Sequence, residues 1–282
     1  MPELPEVETI AQGLRATIVG RTIQKAQTLH PRIVRFTAPH EAAGQTICAV
    51  DRRGKLLRIH LRDARILVVH LKMSGRLWVV AEGTARPAHT HFVATLDAGT
   101  ELVFVDPRRF GFVGLLDEAA WEQWEFVRTL GPEPLESTPQ DLAARLDFPT
   151  SRRAIKAVLL DQRVIAGVGN IYADESLFAA KIHPATPTSK LSAAQRLRLA
   201  CAVQDVLHAA IAAGGSTIND YRNAMGAPGL FQERFAVYGR AGLPCPQCGT
   251  PLTRLRVAGR GTVVCPRCQG TGSAPHTTSR TR

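Results

Sequence analysis

Met1-Pro2-Glu3-Leu4-Pro5-Glu6-Val7-Glu8-Thr9 opens the chain and carries both its first element and its most unusual chemistry. Pro5 suits the first turn of a helix, and the glutamates supply the anions that a helix N-terminus favours. Apolar Val7, Ile10, Ala11, Leu14 and Ile18 then recur at helical spacing until Gly20 stops the run. A helix starts here, yet helix capping does not require Pro2 and Glu3 ahead of it. A small second residue permits removal of the initiator methionine. Removal would leave Pro2 as a secondary amine on a rigid ring, with the Glu3 and Glu6 carboxylates within one turn's reach. An α-amine titrates near ~8, against ~10.4 for a lysine ammonium. A useful fraction is therefore neutral and nucleophilic at neutral pH.

The 282 residues are enough for two domains, each with its own core. Thirty-five Lys and Arg against 24 Asp and Glu give a net charge of +11 and a pI near 10.0. Such a balance points to a polyanionic partner, nucleic acid first. No apolar run approaches the ~20 residues of a membrane span, and no basic-then-apolar leader opens the chain. The expectation is a monomeric, cytoplasmic, nucleoid-associated protein. Four of the six cysteines cluster near the C-terminus, while Cys48 and Cys201 stand alone in apolar surroundings and read as buried thiols.

Short strand patterns follow the first helix at 22–23, 47–50, 56–61, 66–71, 77–80, 92–96, 102–105 and 111–115, punctuated by Gly, Asp and Pro. The fold class read from them is α+β, an N-terminal β-sandwich with the N-terminal helix packed at its end, covering residues 1–116. Lys55, in Arg52-Arg53-Gly54-Lys55, reads by itself as part of a solvated turn. Met73, in Leu71-Lys72-Met73-Ser74-Gly75-Arg76, falls between two apolar runs and is expected at a hairpin tip. An exposed methionine there is a flexible apolar wedge suited to a base stack. Phe110, in Asp106-Pro107-Arg108-Arg109-Phe110-Gly111, reads equally well as a strand-edge hydrophobe. His89 and His91 are one residue apart, with no third ligand beside them.

Residues 117–150 lose strand character and contain Gly131-Pro132-Glu133-Pro134, which predicts a linker. Helical patterns over 152–161, 170–180 and 192–213 make residues 151–235 a helical domain. Between the first two lies Gly167-Val168-Gly169-Asn170, glycines that admit a phosphate to backbone amides ahead of a helix N-terminus. Residues 216–235 are expected to form a long loop. Cys245-x2-Cys248, sixteen residues, then Cys265-x2-Cys268 predict one structural Zn2+ held by four thiolates within a finger at 236–268. A hairpin between the knuckles would place Arg260 at its tip. Residues 269–282 read as a disordered tail.

These motifs together resemble the formamidopyrimidine-DNA glycosylases, from Pro2 to Cys268. The resemblance implies a bifunctional DNA glycosylase and abasic-site lyase acting on duplex DNA with oxidised purines or abasic sites. Its helical domain would carry a helix-two-turn-helix element. Pro2 would be the nucleophile at C1′, Glu3 the acid/base with Glu6 in support, and Lys55 and Arg260 would assist at the phosphates. Met73, Arg108 and Phe110 would fill the space left by an extruded nucleotide. His89, Lys156 and Asn170 would hold DNA phosphates, Arg152 would keep a DNA-binding positive charge where the family often carries lysine, and the 216–235 loop would cap the extruded base. An endonuclease VIII-type glycosylase typically opens Pro-Glu-Gly-Pro-Glu, so Leu4 and the Met73, Arg108 and Phe110 set disfavour that branch. A non-enzymatic zinc-dependent DNA-binding protein would account for the charge and the cysteines, but not for the N-terminus.

Overall fold

Residues 1–218 and 221–270 are described by the computed structural model. Helix α1 (Leu4–Ile18) forms where the opening stretch predicts, and it buries Leu4, Val7, Ile10, Ala11, Leu14 and Ile18. Most of these enter one core with residues from both sheets that follow, among them Leu57, Leu67, Val69, Leu77, Phe92 and Phe104. The eight expected strand segments are all present, as β1 (Ile23–Thr28), β2 (Ile47–Arg53), β3 (Leu56–Leu61), β4 (Ile66–His70), β5 (Arg76–Ala81), β6 (Thr90–Leu96), β7 (Thr100–Val105) and β8 (Phe112–Leu116). They make two four-stranded antiparallel sheets, ordered β1-β6-β7-β5 and β2-β3-β4-β8.

The period of two decides which side chain enters which layer. Along β4, Leu67 and Val69 face the main core, while Ile66 and Val68 join Leu56, Phe112, Leu116 and Trp121 in a second cluster. That second apolar face is why two short helices, α2 (Glu118–Gln123) and α3 (Glu125–Arg128), follow directly. Trp121 and the partly buried Trp124 and Val127 pack onto it. The segment expected to be a linker is thus folded, and it continues with α4 (Pro139–Arg145), started by Thr138 accepting the Asp141 N–H.

The described residues form two compact units, one of residues 1–130 with 208–218 and 221–233, the other of 131–207 with 234–270. The loop assigned by sequence to the helical domain therefore clusters with the β-sandwich. Tyr221 and Ala224 lie in the main sandwich core, and Val79 donates its N–H to the Ala224 carbonyl at 3.0 Å. Gly13 is required on α1 because a Cβ there would sit 2.7 Å from that of Ala224.

The second unit contains α5 (Ile155–Leu159), α6 (Asn170–Ala179) and most of α7 (Ala193–Ala212), with the hairpin of β9 (Thr253–Val257) and β10 (Arg260–Val264). Pairing of Arg260 with Val257 leaves Ala258 and Gly259 as a two-residue turn, and both have positive φ, 51° and 73°. Such a turn matches the right-handed twist of the strands. No helix among the described residues is long and apolar enough to cross a membrane.

Three further sequence expectations are corrected. Met73 is not at a hairpin tip, because β4 and β5 belong to different sheets and the Leu71-to-Gly75 turn crosses between them. Apolar runs around a turn fit either connection, since spacing alone does not say with which strand each run pairs. Cys48 is exposed and Cys201 half-buried rather than buried. Cys48 lies at a register shift between Ile47 and Ala49, which breaks the simple alternation of faces. Gln269, expected in the tail, is buried; its side chain accepts the Cys265 N–H at 2.9 Å and donates to the Ile182 carbonyl at 2.9 Å. The remaining tail, 271–282, lies outside the described residues, as do Asn219 and Asp220 of the expected capping loop.

Candidate active site

The site of the first unit begins at the N-terminus of α1. Pro2 is half-exposed, whereas Glu3 and Glu6 are buried. Glu3 occupies the N-cap position, and the Glu6 carboxylate reaches back to accept its N–H at 2.8 Å. The other Glu6 oxygen accepts the Ser216 N–H at 2.7 Å. Tyr221 donates its hydroxyl to the Glu6 carbonyl at 3.2 Å, and burial together with the nearby Glu6 charge pushes its phenol well above the usual range. Tyr221 therefore stays a donor. Gly215 has φ 81°, a conformation that side chains rarely adopt, and its notional Cβ would lie a tight 3.2 Å from Glu6. Glu6 thus sets the position of Pro2 and Glu3, tying them to Ser216 through its carboxylate and to Tyr221 through its carbonyl.

Lys55 follows Gly54 (φ 57°) in the tight connection between β2 and β3. It is buried rather than solvated. Close by is His70, whose Nδ1 accepts the Lys72 N–H at 2.9 Å. Burial lowers the His70 pKa to about 3, with the Lys72, Lys55 and Arg35 charges acting in the same direction. The imidazole is neutral at physiological pH.

Met73 and Phe110 stand 46% and 54% exposed, so neither is held in the core and both are accessible to a partner. Arg108 places its guanidinium over the Phe110 ring at 4.5 Å from the centroid, a cation–π contact. His89 is exposed with φ 66°, while His91 is buried with its Nε2 2.9 Å from the Asp106 carbonyl. The carbonyl can only accept, so that nitrogen carries the proton.

In the second unit Arg152 and Arg260 are exposed and Asn170 is half-buried at the start of α6. Lys156 departs from its expected place on a phosphate. It is 0% exposed, and its ammonium meets the Asp174 carboxylate at 2.6 Å, the Thr262 hydroxyl at 2.7 Å and the Gly261 carbonyl at 3.1 Å. The stem is drawn inward because its Asp174 partner is itself buried on α6. Burial pushes the Asp174 carboxyl upward, with the Lys156 ammonium pulling it back. Asn170 donates to the same Gly261 carbonyl at 3.2 Å. Glu175, the next residue on α6, accepts the N–H groups of Ala236, Val237 and Tyr238 at 2.8, 3.0 and 2.8 Å. Two adjacent acids thereby hold the finger from two directions, Asp174 at the hairpin and Glu175 at its lead-in.

All four sulfurs of Cys245, Cys248, Cys265 and Cys268 lie within 4.8 Å of one another. The 245–268 and 248–265 pairs are 3.9 and 3.5 Å apart. A tetrahedron with ~2.3 Å zinc–sulfur bonds has sulfur edges of ~3.8 Å, so the donor set fits one Zn2+ and leaves no open coordination position. The ion is structural.

Sequence reasoning missed Asp106, Asp174, Glu175, Ser216 and Tyr221. Asp ahead of Pro107 carried a recognisable turn signal, and Asp174-Glu175 interrupt an otherwise apolar helix. Nothing in the sequence marked Ser216 or Tyr221 as partners of Glu6.

Comparison with known proteins agrees with these features segment by segment. Residues 1–113 match the formamidopyrimidine-DNA glycosylase N-terminal domain, 130–222 the H2TH domain of the same proteins, and 242–270 the zinc finger found in FPG and IleRS. The chain is 48% identical to the formamidopyrimidine-DNA glycosylase of Moorella thermoacetica, over 91% of its own length and 95% of that protein. It is 42% identical to that of Enterococcus faecalis, over 95% and 97% respectively. Among solved structures, the MutM (Fpg) protein of Thermus thermophilus superposes with a TM-score of 0.85 at 43% identity, covering 96% of this chain and all of that one. Lactococcus lactis Fpg, in complex with DNA containing an abasic site, gives 0.86 at 35% identity, covering 95% of this chain and all of that one.

Proposed function

Because the chain belongs to the formamidopyrimidine-DNA glycosylase family, we infer from its own residues how it carries out that chemistry. It is a DNA glycosylase with abasic-site lyase activity that removes oxidised purines from duplex DNA in base excision repair. Once Met1 is removed, the Pro2 amine attacks C1′ of the damaged nucleotide and the base leaves. A secondary amine bonded to that carbon has no second N–H proton to lose, so it persists as a charged iminium. This is an electron sink that acidifies the C2′ proton, and successive eliminations release the 3′ and 5′ phosphates. Glu3 handles protons at the sugar. Glu6 holds the geometry, and Lys55 and Arg260 assist at the phosphates.

Met73, Arg108 and Phe110 fill the gap left by the extruded nucleotide, while His89, Arg152 and Asn170 engage phosphates. The 216–235 segment, anchored by Ser216, Tyr221 and Ala224, caps the extruded base with its exposed part. A protein acting on chromosomal DNA works in the cytoplasm in association with the nucleoid. The observation that carries the reading is the buried pair Glu3 and Glu6 beneath a half-exposed Pro2. Glu3 and Glu6 also cap the helix, but a DNA-binding protein has no need of a secondary amine held over them.

Borohydride trapping tests it. On duplex DNA with 8-oxoguanine, reduction should give a permanent protein–DNA bond that mass spectrometry places on Pro2, with Met1 absent. Retaining Met1 or adding a tag ahead of Pro2 should abolish trapping and strand cleavage while much of the DNA affinity remains. An adduct on Lys55, or full activity from a verified blocked N-terminus, would overturn the assignment.

A further inference from the structure

We propose that Asp106 is a positioning residue for base extrusion, its buried carboxylate joining the Met73 turn to the Arg108-to-Phe110 turn so that the three gap-filling side chains enter DNA as one rigid body. The proposal rests on the gap-filling reading of Met73, Arg108 and Phe110 given above. Asp106 is 0% exposed, although the side chains it organises are among the more exposed on its unit. One carboxylate oxygen accepts the Ser74 hydroxyl at 2.5 Å and the Arg108 N–H at 3.2 Å. The other accepts the Gly111 N–H at 2.7 Å. Ser74 is the neighbour of Met73, while Arg108 and Gly111 bracket Phe110, so a single side chain reaches both turns.

Its backbone extends the junction. The Asp106 N–H donates to the His89 carbonyl at 3.1 Å, and its own carbonyl meets His91 at 2.9 Å. Both turns are also closed sterically. A Cβ on Gly75 would collide with the Leu71 carbonyl oxygen, and one on Gly111 would meet the His70 carbonyl oxygen at 2.8 Å and the Asp106 carboxylate at 3.2 Å. Neither turn can relax toward another shape without losing bonds to this carboxylate. A desolvated carboxylate leans strongly on each donor, most of all on a short hydroxyl contact. Opening a base stack costs a few kcal/mol, and apolar wedges held within a fraction of an ångström can meet that cost more fully than wedges on independent turns.

Single-turnover excision and stack opening, followed by a fluorescent base analogue beside the lesion, decide the matter on two duplexes. One carries 8-oxoguanine opposite cytosine, and the other carries it opposite an abasic analogue, where no orphaned base needs engaging. Ser74→Ala should slow both signals about tenfold on the first duplex and less than about twofold on the second. Adding Met73→Ala to it should cost little more, because the side chain is already ill-positioned. Asp106→Asn should be slower still; if it fails to fold, Ser74→Ala alone carries the test. Equal losses on both duplexes, or unchanged opening by Ser74→Ala where Met73→Ala slows it, would overturn the coupling. No effect from Met73→Ala and Arg108→Ala would instead overturn the gap-filling reading on which it rests.

Discussion

The Glu6 carboxylate accepts the N–H of Ser216 at 2.7 Å across 210 positions of the chain. Its second oxygen holds the N–H of Glu3 at 2.8 Å. A side chain that accepts on both oxygens cannot be replaced by an amide without setting a donor against a donor. Glu6→Gln should therefore lose one of the two bonds, costing about 1–3 kcal/mol of stability. Excision should fall because Pro2 and Glu3 lose their fixed frame, and Glu6→Asp, which is too short to span both, should fall as well. Thermal unfolding with single-turnover excision checks this; a Gln variant with full activity and stability would remove Glu6 from the frame.

Lys156→Met should destabilise the second unit by about 3 kcal/mol, since it leaves the Asp174 carboxylate buried without its ion partner. Adding Asp174→Asn should recover part of the loss. DNA affinity should decline only as far as the hairpin loosens, with the salt dependence unchanged, because the Lys156 charge is spent inside the protein. A shallower salt slope in a folded Lys156→Met protein would return this lysine to the phosphates.

Arg260→Ala should behave oppositely. It should leave stability and metal content alone, weaken binding evenly across sequences, and reduce the salt slope by roughly one counterion. Titrations of binding against salt concentration measure this directly. An unchanged slope together with unchanged incision would place Arg260 away from DNA.

Cys248→Ser should release zinc and lower DNA affinity, because the hairpin that carries Arg260 depends on four metal–thiolate bonds for its folding. Chelation should have the same effect on the unaltered protein. Metal analysis alongside binding decides it, and full affinity in a zinc-free variant would contradict the role given to the finger.

His70 predicts a pH limit to stability. Its pKa is about 3 in the folded protein, against an ordinary value of 6.5. Protons bind the unfolded chain more readily across that window. Its contribution is thus complete above pH 6.5 and is lost as the pH falls toward 3, at about 1.4 kcal/mol per pH unit. His70→Gln should flatten the pH dependence of unfolding in this range relative to the parent protein. Identical profiles would show that His70 charges freely in the folded state.

By itself the sequence determined the elements and the chemistry that local residues specify. The helix at residues 4–18, the eight strand segments of the sandwich and the four zinc ligands were all legible, since periodicity, turn residues and ligand spacing act over a few positions of chain. Tertiary structure alone decided what required two distant segments to meet. Lys156 looks like a phosphate ligand until Asp174 and Thr262 are seen to enclose it. Met73 looks like a hairpin residue until β4 and β5 part into separate sheets. Ser216 carries no pattern at all, and the turn signal of Asp106 ahead of Pro107 does not name its partners, because their meaning lies in which donor or acceptor the fold brings within about 3 Å, and hydrogen-bond energy depends on that distance rather than on separation along the chain.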